Sequence, residues 1–372
     1  MSAHKAEVCL EGRLVGTLAE TADHRVAFAY SDDWLADGFA ISPFSLPLEQ
    51  KVFVPASLNF QGLWGVFADS LPDAWGRLLV DRMLRSHGYT PGDISTLDRL
   101  AIVGSAGMGA LTCRPAWDLS HDDTAIKDLD ALAAQCSALL QHDDAADPDE
   151  LFRLGGSSGG ARPKVMTEEW IIKFPASGDM QDTGLMEKAY MDCAASCGIL
   201  VPETKLLPSK RCSGYFAIRR FDRVSEKRVH MLTAAAILEA DWRSASLDYH
   251  TLMKMTTILS RSNEEDLLQM YRRMCFNVYA HNRDDHLKNF TWIYDPRHDC
   301  WHPSPAYDLT WSTTYFGEHT TTVDGNGRDP GEKELTAVGK KAGLPLKTCR
   351  QIAEEIRERT EALESRFRDT RS

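Results

Sequence analysis

The chain has no long apolar run. Nowhere do about 18 apolar residues follow one another, so no transmembrane helix is expected. The opening residues, Met-Ser-Ala-His-Lys-Ala-Glu-Val, carry no apolar signal core, which fits a cytoplasmic protein with no membrane association. Cysteine has no useful pattern: the nine are scattered, none forms a CxxC, and Cys193 and Cys197 simply stand one helical turn apart. That argues against a disulfide framework or a zinc site and for free thiols in a reducing compartment. Positive charge is in deficit. A net charge of −12 argues against a large direct nucleic-acid face, while leaving room for a local basic patch. No internal repeat is evident, and no Gly-Lys-Ser/Thr closes a glycine-rich stretch as a P-loop requires.

What is there is a globular composition, 43% hydrophobic and 26% charged, over 372 residues, enough for two or three lobes. Alternating apolar residues predict a hairpin over 6–16 around Glu11-Gly12, with a third strand at Val26–Tyr30. Residues 59–89 turn helical, with Trp75, Leu78, Leu79 and Met83 at helical spacing. The stretch from Ala101 carries Gly104, Gly107 and Gly109 and ends strand-like at Cys113. Residues 1–117 therefore read as a small α+β subdomain. Residues 118–150, rich in Asp and Ala with a helix over about 125–141, read as an acidic connector presenting a solvated face. Residues 151–222 follow as the remainder of a sheet-bearing lobe, with strands at 169–174 and 214–221 and a helix over 184–198. Residues 223–372 are mostly helical, over 231–240, 246–260, 264–281 and 346–367. Strands first and helices after give an α+β, bilobal expectation.

Residues 281–290, His-Asn-Arg-Asp-Asp-His-Leu-Lys-Asn-Phe, carry the chemistry. Asp284 follows an Arg and stands five positions before Asn289, the spacing of a protein-kinase catalytic loop. There an Asp receives the substrate hydroxyl proton and the Asn holds Mg²⁺. Asn282 stands where such a loop usually has His. Upstream, Gly155-Gly-Ser-Ser-Gly-Gly-Ala-Arg-Pro-Lys164 lets the backbone approach a ligand and offer N–H groups to anions. By itself it is a weak signal and reads better as a flexible loop. A strand lysine, Lys173, follows; such a lysine after a Gly-rich loop neutralises nucleotide phosphates and pairs with a helix glutamate. Glu187 is the nearest candidate, with an exposed helix N-terminal acid as its plainer reading. Asp308, 24 residues after Asp284, offers a second Mg²⁺ oxygen ligand, reached through a hairpin over 292–301. Two rival readings stand beside this one. His281, Asp284, Asp285 and His286 could bind metal in a hydrolase, or the segment could be a charged helix cap.

With these parts in order, the chain resembles the HipA family of bacterial serine/threonine kinase toxins over nearly its whole length. The resemblance is carried by Phe44–Leu48, Leu71-Pro-Asp-Ala-Trp-Gly-Arg-Leu78, Gly104–Gly109, Gly159-Gly-Ala-Arg-Pro-Lys164 and Trp170–Pro175. It continues through Val201–Thr204, Arg220-Phe-Asp-Arg223, Asn282–Phe290 and Pro305-Ala-Tyr-Asp-Leu309. It implies an N-terminal subdomain on a two-lobed, protein-kinase-like core, with ATP and Mg²⁺ as cofactors. Asp284 would be the catalytic base, Asn289 and Asp308 the metal ligands, and Lys173 the phosphate lysine. Ser157, Ser158, Gly159, Gly160 and Lys164 would form the phosphate loop. Arg219 and Phe221 would lie at the adenine hinge, Ile218 to Phe221, and His286 and Lys288 would add cofactor contacts. One loop serine, Ser157 by its offset from Lys164 or its neighbour Ser158, would be autophosphorylated to switch the kinase off. The implied partners are a HipB-like helix-turn-helix antitoxin, DNA only through that antitoxin, and a protein substrate such as an aminoacyl-tRNA synthetase, whose phosphorylation arrests growth. Pro163 replaces the usual loop glutamate, and Arg219-Arg220 stands where an acid is expected first. A kinase-fold corepressor of weak activity, or a kinase of a small molecule or lipid, remains an alternative.

Overall fold

The computed structural model describes residues 4–116, 128–141, 147–156, 158–176, 178–225, 227–243, 247–314 and 316–367. The chain divides into two compact units, one of Met1–Gln181 with Leu207–Asp241, the other of Asp182–Leu206 with Trp242–Ser372. Residues 182–206, read from sequence with the sheet-bearing lobe, thus group with the helical part, and 223–241 with the sheets.

The first unit opens with strands β1 (Lys5–Leu10), β2 (Arg13–Glu20) and β3 (Val26–Tyr30), then β4 (Val52–Phe53) and β5 (Leu111–Arg114). They form one sheet in the order β4-β3-β2-β1-β5. The expected hairpin turns at Glu11-Gly12, where both residues take positive φ, +50° and +83°. Glycine fills that conformation without the steric cost of a Cβ. Val8, Leu18 and Phe28 are fully buried beneath the sheet. Four helices sit among these strands: α1 (Asp32–Asp37), α2 (Gly65–Ala68), α3 (Ala74–Ser86) and α4 (Thr96–Val103). The stretch expected to lead into β5 is thus helical up to Val103. Ser95 and Asp98 form a capping box there, satisfying two N-terminal N–H groups.

Helix α5 (Leu129–Leu140) and the first residues of α6 (Pro148–Gly155) lie in the segment expected to be a solvated connector. That expectation needs correction. Leu132, Cys136 and Leu139 of α5 share a core with Trp75 and Leu79 of α3, Leu151 of α6, and Val165, Ile172, Phe174, Tyr215 and Ala217. The acids work at the helix margins: Asp147 caps α6. Asp130 accepts from the Tyr215 and Ser209 hydroxyls, each at 2.7 Å. The second sheet carries β6 (Lys164–Met166), β7 (Trp170–Lys173) and β9 (Tyr215–Arg219), paired antiparallel in that order; β8 (Thr204–Leu207) re-enters the unit at Leu207. Short β10 (Arg223–Val224), β11 (Lys227–Arg228), β12 (Met231–Thr233) and α8 (Ala234–Ile237) close the unit. The helix expected over 231–240 is one turn only. Thr233 caps it, and Glu239 leaves the helix at φ +52°.

The second unit holds α7 (Thr183–Ser196), α9 (Tyr249–Leu259), α10 (Glu264–Tyr279), α11 (Glu332–Lys341) and α12 (Leu346–Phe367). α11 was not anticipated. Its apolar residues are few, but Gly339 lets it press on the Tyr271 ring of α10, where any Cβ would fall 2.7 Å from a ring carbon. The expected hairpin forms as β14 (Thr291–Asp295) and β15 (Cys300–Pro303), and β13 (Leu247–Asp248) pairs parallel with β16 (Thr321–Thr322). No described helix is long and apolar enough to cross a membrane.

Glu239 gives the first unit a pH-dependent joint. Its carboxylate accepts the N–H of Gly65 at the start of α2, at 3.0 Å. Burial nevertheless pushes its pKa up from 4.5 to about 7. A folded state that holds the proton more tightly than the unfolded one gains stability below the unfolded value, and that gain is lost as pH rises through about 7. Glu239→Gln, which keeps an acceptor for Gly65, should therefore raise the thermal midpoint at pH 8 and change it little at pH 4.5. The gain should reach at most about 3.4 kcal/mol, read from melting curves across that pH range.

Candidate active site

The catalytic-loop sequence begins where α10 ends. Asn282 is buried, its N–H bonded to Asn277 O at 2.9 Å and its amide nitrogen to Asn277 Oδ1 at 2.9 Å. Asn277 in turn donates to the Tyr249 hydroxyl (2.9 Å), which donates to Asp285 (3.0 Å). Asp285 is 1% exposed. It also accepts from His319 Nδ1 and the Thr321 N–H, both at 3.1 Å, while the Thr321 hydroxyl bonds its carbonyl. Burial, then the Asp285 charge, hold the Tyr249 pKa far above its usual value, so the hydroxyl stays a proton donor. Asn282 is thus the outer link of a buried polar chain that fixes the loop from behind.

Asp284 faces the other way, its side chain 59% exposed, with His286 Nε2 at 3.9 Å. The carboxamide nitrogen of Asn289 donates to Asp284 O at 2.8 Å, which leaves the amide oxygen as the group offered outward. His286 accepts the Lys288 N–H at 3.2 Å through Nδ1, capping the 3-10 turn Leu287–Asn289, and its ring packs 4.8 Å from that of Trp242. It acts here as a loop brace. Asp308 has a φ of +52°, a left-handed conformation that Asp tolerates better than most residues. Its neighbour Tyr307 donates to Lys288 O at 2.6 Å and meets Thr291 Oγ1 at 2.6 Å. Buried Arg273 of α10 donates to Ser304 O. The segment carrying Asp308 is therefore tied to the loop carrying Asn289. Glu187 of α7 is 2% exposed, which removes its reading as an exposed helix-terminal acid.

The glycine-rich segment lies in the first unit. Ser157 falls outside the described residues. Ser158 is 1% exposed, and its hydroxyl donates to Gly155 O at 2.6 Å. The loop is docked on the N-terminus of α3. Asp73 precedes that helix but does not cap it; its carboxylate accepts the N–H of Gly160 instead. The Trp75 N–H bonds Gly160 O, and the indole N–H bonds Lys164 O, both at 3.0 Å. A side chain at Gly76 would collide with Ser158 O, so glycine is required there. Lys164 and Lys173 are cross-strand partners. Lys164 is buried, with its ammonium on Gly159 O, and Lys173 holds its ammonium 5.5 Å from the Phe216 ring centre.

The hinge arginines separate. Arg219 is exposed, 3.6 Å from Glu169, and Phe221 is half-buried. Arg220 is buried and chelates Asp222 at 3.0 and 2.9 Å; Arg223 adds 2.6 Å and the Gly109 N–H 2.9 Å. Burial opposes the Asp222 charge, but these donors prevail and hold its pKa below the usual carboxylate range. Asp222, Asp285, Tyr249, His319 and Asp73 were not singled out from sequence as anchors, since nothing in local pattern marks an acid as buried. Among the described residues, no three His, Cys, Asp or Glu side chains gather as metal ligands. Of the four donors in the hydrolase reading of 281–290, Asp285 is taken up by Tyr249, His319 and Thr321.

Comparison with known proteins places the chain. The HipA N-terminal domain matches residues 6–114 and the HipA-like C-terminal domain residues 156–363. Two curated relatives come from Sinorhizobium fredii (strain NBRC 101917 / NGR234). Putative kinase Y4dM is 26% identical over 393 residues, covering 96% of this chain and 90% of its own length. Putative kinase Y4mE is 24% identical over 415 residues, covering 100% and 93%. The solved structure of Shewanella oneidensis MR-1 HipA, with HipB and its operator DNA, superposes with a TM-score of 0.70 at 18% identity, covering 97% of this chain and 90% of that one. The expected α+β, two-lobed, kinase-like fold is the fold shared with that HipA. The C-terminal domain match spans more than half of the residues, and so the chain belongs to the HipA family.

Proposed function

We propose that this chain is an ATP-dependent serine/threonine protein kinase acting as the toxin of a toxin–antitoxin pair. The observation that carries the reading is the division of labour between two adjacent acids. Asp285 is buried and saturated with donors, whereas Asp284 is held outward on the loop that Asp285 anchors. Asp284 would accept the proton of a substrate hydroxyl as its oxygen attacks the γ-phosphorus of ATP, with ADP leaving. Asn289 and Asp308 suit Mg²⁺, which needs few protein oxygens and prefers carboxylate and amide oxygens to nitrogen or sulfur. Its contribution would be to neutralise charge on the phosphates. Lys173, the loop to Lys164 and the hinge at Arg219 and Phe221 would hold the nucleotide, a further charge clamp on the phosphates.

The partners follow the family. A HipB-like antitoxin would mask the toxin and bring it to DNA, consistent with the acidic balance of −12. A translation component such as an aminoacyl-tRNA synthetase would be the substrate, in the cytoplasm. Of the two loop serines, Ser157 is the better phosphoacceptor, since the Ser158 hydroxyl is buried on Gly155 O. Phosphate on this loop would add roughly −1.5 to −2 charge. The second reading, a corepressor of weak activity, draws support from the Asp73 carboxylate standing on the Gly160 N–H that a phosphate would use.

Four variants separate these readings. Asp284→Gln should lower ATP turnover and autophosphorylation by about 10²–10⁴-fold while melting like wild type; equal activity in both proteins would sink the role of Asp284. Asp285→Asn should instead lower the melting temperature, because Asn offers one acceptor oxygen where the carboxylate offers two. Ser158→Ala should keep the autophosphorylation signal and Ser157→Ala should lose it, read by phosphopeptide mapping. Phosphate found on Ser158 would overturn that assignment.

A further inference from the structure

The second unit contains a cleft of about 280 Å³ on the flank of the catalytic loop. It is smaller than the roughly 300–1,000 Å³ of sites for drug-sized ligands, so it suits a small group rather than a nucleotide. Arg283, Arg328 and Arg357 line it, with His281 and His319, against two acids, Asp329 and Glu361. Three permanent positive charges at one cleft stand out in a chain of net charge −12.

The arginines are poorly used by the protein itself. Arg283 is four-fifths buried, and its Nε is shielded from solvent with no hydrogen-bond partner. Its nearest acid, Asp329, lies 3.9 Å away and is 82% exposed. Arg328 meets Glu318 at 3.2 Å and Arg357 meets Glu354 at 3.6 Å, both at the surface. Exposed pairs of this kind contribute little, and their side chains are free to turn to a better acceptor. The planar guanidinium fork matches tetrahedral oxyanions, which accept from several donors at once.

We infer that this cleft is a binding site for a phosphate group, separate from any nucleotide-phosphate site, and that its occupant fastens the catalytic loop. The wall of the cleft explains the second half of the inference. The Thr320 N–H and hydroxyl both bond Arg283 O at 3.0 Å, next to Asp284. The flanking residues, His319 and Thr321, hold Asp285. A phosphate bridging Arg283 and Arg328 would pin residues 319–328 to the loop that Asp285 anchors. The phosphate has two possible sources, a free anion or a phosphorylated side chain, and both present the same chemistry to the arginines.

The test uses the full chain and titrates inorganic phosphate by calorimetry, with the thermal midpoint as a second readout. Arg328→Gln/Arg357→Gln, at two exposed positions, should weaken phosphate binding by about tenfold or more and remove the phosphate-induced rise in the midpoint. Lys173→Ala should leave both unchanged, which separates this site from the proposed nucleotide site. Binding that survives the double arginine variant, or is lost in Lys173→Ala, overturns the inference, as does the absence of millimolar binding to wild type. O-phospho-L-serine titrated in parallel distinguishes the sources: competition with phosphate assigns a side-chain phosphate, and failure to compete assigns the free anion. Neither readout depends on turnover, so failure of the kinase reading would leave this result standing.

Discussion

The buried carboxylate of Asp285 is the constraint on which the site depends. A charge removed from water costs several kcal/mol unless donors replace the lost hydration. Here Tyr249, His319 and Thr321 supply them, from α9 and from the segment around β16. Because the donors come from two parts of the unit, satisfying one acid fixes two backbone segments relative to the loop. Asn277 and Asn282 extend the same network to the end of α10. The loop is therefore rigid where it meets the core, and the adjoining Asp284 and Asn289 inherit that rigidity without being buried themselves. Preorganisation of this kind is what a phosphotransfer loop requires, since positioning and electrostatics supply most of the catalysis.

The first unit solves a similar problem with backbone groups. A glycine-rich loop has high conformational entropy and would wander if left alone. Asp73, Trp75 and Gly76, all on the start of α3, hold Gly160, Lys164 and Ser158. The Leu71–Leu78 motif of the N-terminal subdomain thus acts as a dock for the loop of the next segment. That gives a physical reason for the subdomain to accompany the rest of the chain: without α3, the core loses Trp75 and Leu79, and the loop loses three of its anchors.

Much of this was legible in the sequence where spacing carries the information. The hairpin at Glu11-Gly12, the strand bearing Lys173, and the helix leading to Asp284 follow from periodicity and turn chemistry. So does the hairpin between Asn289 and Asp308. What was not legible depends on partners remote in sequence. The acidic connector reads as solvated because its Asp residues dominate the local composition, yet the apolar face of α5 meets strands that begin some 25 residues later. The helix α11 escaped notice because its contact with Tyr271 is made by a glycine, which gives no hydrophobic signal. The role of Asn282 was visible only as a departure from a pattern, and its reason, a bond to Asn277, needs the end of α10 to be folded.

Adjacent identical residues show how burial decides function. Asp284 and Asp285 are chemically equivalent in sequence, as are Arg219 and Arg220. In extended backbone, neighbouring side chains point to opposite sides. One member of each pair is consequently driven inward and must be paired. Asp285 finds Tyr249 and His319, and Arg220 finds Asp222. The outward members, Asp284 and Arg219, are exposed. Ser158 is likewise buried, its hydroxyl on Gly155 O. A doubled residue at such a loop therefore need not be a redundant site. One copy builds the support and the other is displayed by it, so exchanging the two would cost both stability and chemistry although the composition is unchanged.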